Sequence, residues 1–300
     1  MNLTEGIEAR ATDTDAETAL EVRNLSKHYR GGVRALDDCT FTLPVNRVIA
    51  LVGANGAGKS TLMGIVSGMV KATSGEFKVG GSSGNRVVLL AQDKPLYRNF
   101  SVADMLRFGR HTNKRWDQPR ATAWLERFNI PLDRRCDKLS GGQQAQVSLA
   151  VALGACPSLL LLDEPLSNLD PVARRAVTGE ILGEVAETGM TVVLSTHVVA
   201  ELAGVGDHLL LLSHGRDIVD GDVEELLAQH ARVVGPRTDK PPVDGTVVHE
   251  QHTDRQSTFI VRTLLGSATE IGVEGWSTSP VNLEDLVLAY LKTSIGEAGL

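Results

Sequence analysis

The chain has 300 residues, enough for one large domain and a smaller appended unit, with a formal net charge of −7 and a pI near 5.6. That balance argues against a nucleic-acid scaffold, which is ordinarily basic, so no nucleic-acid partner is expected. Cys39, Cys136 and Cys156 are few, odd in number and not spaced as metal ligands, and no apolar run approaches the roughly 20 residues that span a bilayer.

With no basic-then-apolar leader at its start, the chain is expected to be soluble and cytoplasmic, reaching a membrane only through a partner. Residues 1–17 are polar and acidic without a sustained apolar face, which marks a disordered N-terminal tail. Short apolar or alternating runs at 19–22 and 39–43 predict strands. Val48–Val52 is a continuous apolar run, as expected of a buried strand, and the pattern over 59–69 predicts a helix. Val87–Leu90 is a further buried strand. From about residue 102 to 153 the pattern turns helical and more polar, with Trp116 and Trp124 as packing anchors. Apolar strands return at 159–162 and 191–194, separated by a helical stretch at 172–187. Strands alternating with helices predict a parallel α/β sheet with a helical lobe inserted. The segment 235–245 is a linker by its glycine and proline content. After it, 246–250 and 258–262 predict a hairpin, and 282–291 an amphipathic helix with Asn282 as its N-cap.

Three motifs carry the chemistry. The Val48–Val52 run feeds a glycine-rich loop, Gly53, Asn55, Gly56, Ala57, Gly58, Lys59, Ser60 and Thr61. The glycines let the backbone curl so that successive N–H groups face the β- and γ-phosphates of a nucleotide. Lys59 adds a point charge there, and the Ser60 hydroxyl is placed to hold Mg²⁺. A second glycine-rich segment, Ser140, Gly141, Gly142 and Gln143, opens a helix whose free N–H groups and dipole suit another phosphate contact. One nucleotide cannot readily occupy both loops of one domain, so the simplest geometry has two chains sharing each nucleotide. The third motif is an apolar strand ending in Asp163 and Glu164. Asp163 is expected to hold Mg²⁺ through water, and Glu164 to polarise the attacking water.

At these motifs the sequence resembles the ATP-binding-cassette ATPases, over roughly residues 20–222 and in the family's order. The resemblance implies an α/β fold: a P-loop NTPase (RecA-like) core with an antiparallel β subdomain and an inserted helical subdomain at about 94–155. These together span 18–234, and a small α+β C-terminal domain follows at 235–300. ATP and Mg²⁺ are the implied ligands. The resemblance also makes His197 the switch histidine at the γ-phosphate, and Gln92 the residue reaching Mg²⁺ and the attacking water while its loop touches a membrane subunit. It makes Tyr29 the aromatic that stacks on adenine, and has the loop Ser167, Asn168, Leu169 and Asp170 cross a dimer interface. Read without it, His197 is a structural histidine, Gln92 merely polar, Tyr29 a strand aromatic and Asp170 an Asx-turn residue. Three departures stand out. Gln146 occupies a position where the family often has a basic residue, Asn46 replaces a common turn glycine, and the stretch between Lys59 and Gln92 is short.

The function this implies is that of an ATP-hydrolysing transporter subunit, working as a homodimer or heterodimer and driving a separately encoded permease from the inner face of the membrane. The last helix and the segment Lys114, Arg115, Trp116 and Asp117 are similar to ATPases of bacterial drug- and antibiotic-export systems, which points to export. A soluble cluster-assembly ATPase and an importer ATPase are the alternatives.

Overall fold

The computed structural model describes residues 18–80, 86–93, 96–167, 169–199, 204–263 and 274–298, so the expected tail at 1–17 and Asn168 lie outside the described residues. Two sheets make the N-terminal two thirds. The first is antiparallel, order β2-β1-β4, from β1 (Thr18–His28), β2 (Arg34–Pro44) and β4 (Ser74–Val79). The strand expected at 19–22 therefore runs on to His28, carried past three irregularities beyond Val22 in its pairing with β2.

The second sheet holds the core. Its order is β5-β6-β7-β3-β8-β9, from β3 (Val48–Val52), β5 (Val87–Leu90), β6 (Leu159–Asp163), β7 (Thr191–Thr196), β8 (His208–Ser213) and β9 (Arg216–Asp222). The first five are parallel to their neighbours, and only β9 is antiparallel, to β8. Every residue of β3, β6 and β7 is buried, as their unbroken apolar runs require when both faces of a parallel sheet are covered. Helix α1 (Lys59–Val66) packs on one side and α5 (Pro171–Thr188) on the other. Helix α1 stops short of the expected residue 69 because Gly68 turns the chain at φ 78°. Asn46 takes φ 57° at the turn entering β3, so its tolerance of left-handed backbone lets it stand in for glycine.

The inserted lobe is α2 (Val102–Thr112), α3 (Gln118–Arg127) and α4 (Gly141–Gly154). Each begins at a side-chain cap: Ser101 with Asp104, Asp117 on Arg120 N, and Ser140 with Gln143. Trp116 wedges between α2 and α4 at two glycines. A Cβ on Gly109 or Gly154 would lie 2.7 Å from its ring, so only glycine lets the helices close on it. Trp124 is fully buried beside Phe128.

A four-stranded sheet, order β11-β12-β10-β13, ends the fold. It comprises β10 (His230–Pro236), β11 (Thr246–His252), β12 (Gln256–Arg262) and β13 (Ser277–Pro280). The expected hairpin is β11–β12, and Asn282 accepts from Asp285 N at 2.8 Å at the start of α7 (Leu283–Ala298). The boundary expected at 235 falls inside β10, which lies between β12 and β13 and follows the short helix α6 (Val223–Ala228). Glycine and proline at 235–236 suggested a linker, yet both pair with β12 at the end of the ladder, Gly235 with Ser257 and Pro236 with Gln256, and Trp276 covers the bare backbone of Gly235.

Candidate nucleotide site

In the core sheet β5, β6, β7 and β3 are consecutive neighbours, and their carboxyl ends deliver Gln92, Asp163–Glu164, His197 and the loop from Gly53 to one edge. Parallel sheets of this kind bind ligands in the crevice outside the strand ends. Here that crevice is a cavity of about 590 Å³, lined by Tyr29, Asn55, Gly56, Ala57, Gly58, Lys59, Ser60, Thr61, Gln92, Glu164 and His197, with Val33 and Ala35 at one side.

The glycine-rich loop is held open by close packing beneath it. A Cβ on Gly53 would lie 2.4 Å from Leu212 O, and one on Gly58, at φ 109°, would lie 2.4 Å from Ala35 O. Gly58 is also the N-cap of α1 and offers no capping side chain, so the helix's first N–H groups are left to an external acceptor. Lys59 is buried, and its Nζ donates to Gly53 O at 2.7 Å and Ala54 O at 3.2 Å, so the cation spans the loop it belongs to. Burial pulls the Lys59 ammonium below its ordinary value, against the carboxylates of Glu164 and Asp163, which hold it up.

Opposite the loop, Glu164 sits at φ 47°, a left-handed conformation unusual for a non-glycine residue. It is held there from several sides. Its N–H donates to Ser195 Oγ at 3.0 Å, its carbonyl accepts from Ser167 Oγ at 2.9 Å, and its Oε1 lies 2.8 Å from His197 Nδ1. Gln92 Nε2 reaches its other oxygen at 3.5 Å. Ser195 also donates to the buried Asp163 Oδ1 at 2.7 Å, so one hydroxyl fixes both carboxylate residues. Sequence reasoning overlooked Ser195; the signal was a small polar residue closing the apolar run just before Thr196 and His197.

Ser140, Gly141, Gly142 and Gln143 do not line this cavity. Ser140 and Gln143 cap each other's backbone at 3.2 and 3.1 Å, and a Cβ on Gly142 would meet Leu169 at 3.1 Å. Asp170 caps α5 through Val172 N and Ala173 N at 3.0 and 2.9 Å, so its Asx-type role is realised. Tyr29, exposed at the cavity wall, has Lys27 Nζ 4.9 Å from its ring centroid. The Ser60 hydroxyl and the Gln92 amide oxygen at the cavity, and the Asp163 carboxylate buried at the strand end outside its lining, are hard oxygen groups of the kind that suit Mg²⁺.

A family model described as ABC transporter matches residues 36–167, and one described as AAA domain, putative AbiEii toxin, Type IV TA system matches 134–203. The Nod factor export ATP-binding protein I of Sinorhizobium fredii is 31% identical over 91% of this chain and 86% of its own length. The chain belongs to the ABC transporter ATP-binding proteins. As a member of that family it is an ATPase. A molybdenum import ATP-binding protein of Mycobacterium tuberculosis is 33% identical over 67% of the chain and 60% of that protein. Among solved structures, an ATP-binding subunit of an ABC transporter superposes with a TM-score of 0.64 at 27% identity, covering 71% of this chain and 93% of that one. The ABC ATPase fold, a P-loop core with antiparallel and helical additions, is thus the one observed. Among the described residues no helix is long and apolar enough to cross a membrane, in keeping with a family whose permease is a separate subunit.

Proposed function

We propose that the chain hydrolyses Mg²⁺-bound ATP in the cavity at the strand ends, and that two copies close head-to-tail to do so. The observation that carries this is the convergence of the glycine-rich loop, Gln92, Glu164 and His197 on one cavity. In this reading Gly53 to Thr61 hold the phosphates with Lys59, Ser60 and Asp163 face the metal, and Gln92 reaches toward it. Tyr29 stacks on the base, a contact that tolerates different bases because each has a π-face. Bound Mg²⁺ supplies charge neutralisation at the phosphates. Glu164 takes the proton from the attacking water, oriented by its contact with His197. Its left-handed backbone turns the carboxylate out of the β6 line, and Ser195 and Ser167 maintain that turn.

Ser140 to Gln143 of one copy, exposed at Ser140 and Gly141, cover the nucleotide held by the other, with Asp170 at the same interface. Movement passes to a permease through the loop after Gln92. Export is favoured by the extent of the match. The Nod factor export relative aligns over 91% of the chain, into the C-terminal unit, whereas the molybdenum import relative aligns over 67%. We take that unit to begin near His230, where its sheet begins.

The test is Glu164→Gln, which keeps size and hydrogen bonding but cannot accept the proton. Hydrolysis is expected to fall by about 10²-fold or more while ATP still binds. Near-wild-type turnover would remove Glu164 from this role.

A further inference from the structure

Helix α4 carries the Ser140–Gln143 cap and packs in the lobe almost wholly through apolar side chains: Ala145, Val147, Leu149, Ala150 and Leu153 are all buried. Burial of this kind is strong but non-directional, so it holds the rotation of the helix and its slide along α3 less sharply than a directional bond does. A polar side-chain pair between α3 and α4 adds such a bond. Gln146 is only 4% exposed, and its Oε1 accepts from Trp124 Nε1 of α3 at 2.9 Å; Trp124 is 1% exposed. A buried donor or acceptor left unpaired keeps its full desolvation penalty with nothing to offset it. Any rotation or shift of α4 that parts Gln146 from Trp124 therefore carries that cost, in addition to disturbing the close packing of Trp116 on Gly154 and the Asp117 N–H donated to Gly154 O at 2.7 Å. Single buried polar residues fix helix register in coiled coils by the same logic.

We infer that Gln146 is a positioning residue: its hydrogen bond to Trp124 sets the register of α4 and so aims Ser140 and Gly142 at the nucleotide of the facing chain. At this position the resemblance leads one to expect a basic side chain. Here an amide stands instead, and it turns inward to an indole. Gln144, two residues earlier, adds to the fastening, its Nε2 donating to Leu139 O at 3.1 Å and so tying the segment before the cap to the helix. The inference rests on the two-chain reading of Ser140.

The experiment compares Gln146→Met, which keeps the side chain's length and removes the acceptor, with Val147→Ala, which removes buried volume from the same helix and no hydrogen bond. For each variant the melting temperature, ATP affinity, KM and kcat are measured. Gln146→Met is expected to lose about tenfold in kcat with ATP affinity unchanged, since misplacement of a contact group acts on the chemical step. Val147→Ala is expected to hold kcat within about twofold although its melting temperature also falls. Trp124→Phe, removing the donor from the other side, should repeat the kcat loss, and serves if Gln146→Met does not fold. Wild-type kcat in the variants that lack the bond, or an equal kcat loss in Val147→Ala, would overturn the inference. Ser140→Arg run beside them separates the two readings: if it hydrolyses ATP normally, the two-chain reading itself fails.

Discussion

Lys59 illustrates how much of the site a single side chain organises. Its ammonium is buried and bound to two carbonyls of its own loop, with two carboxylates near enough to sustain its charge. Lys59→Ala removes the only side-chain charge on that loop, so ATP affinity itself is expected to drop by at least about tenfold, the worth of one charge-assisted contact. Calorimetry checks it, and unchanged affinity would contradict the phosphate-loop assignment. Glu164→Gln is the complement at the same scale, since there binding survives and chemistry fails. Ser195 shows what residue-by-residue reading leaves out. Its hydroxyl has no motif of its own and acts only because β6 and β7 run parallel in the register that sets Asp163 opposite Ser195.

At the scale of elements, strands buried on both faces were the most legible, because apolar runs such as Val48–Val52 admit few alternatives. The ends were less so. Strand β1 continues six residues past its apolar run because pairing with β2 and β4, not hydrophobicity, holds Leu25 to His28 in line. Strand β10 was missed because glycine and proline at its end mimic a linker, and only the ladder to β12 shows otherwise. The cavity residues were legible from spacing and resemblance, whereas their convergence depends on strand order, which no local pattern encodes. In the C-terminal unit a buried histidine makes a pH-dependent joint. His230 Nδ1 lies 2.6 Å from Leu226 O in α6 and its Nε2 lies 2.9 Å from the Tyr290 hydroxyl in α7. Burial lowers its pKa from the ordinary 6.5, with Arg262 adding to the effect. The unfolded chain therefore binds the proton more readily, so the contribution to stability is full above about pH 6.5 and is lost as pH falls toward the folded value. Melting temperatures from pH 8 to 5 should fall more steeply for wild type than for His230→Gln, which keeps a polar side chain but does not titrate. Equal slopes would remove His230 from this role.

For the whole molecule, the decisive feature is that the glycine-rich loop and the Ser140 helix belong to one chain but not to one cavity. In the proposed mechanism a second copy completes the site. Within each chain Gly142 packs on Leu169, one residue from Asp170 and close to the Ser167 that holds the Glu164 carbonyl, so the groups assigned to the two nucleotides are mechanically joined. The most direct test mixes two inactive variants, Lys59→Ala and Ser140→Arg. Ser140→Arg keeps its own phosphate loop and should bind ATP, but bulk and charge at the start of α4 should prevent closure. In the heterodimer one composite site carries both lesions and the other carries neither. ATP hydrolysis is therefore expected to return in part on mixing, under conditions where heterodimers are shown to form, while each variant alone stays inactive. Heterodimers that form and hydrolyse no ATP would contradict an independently working shared site, and a crystal with ATP touching Ser140 of the same chain would rule it out.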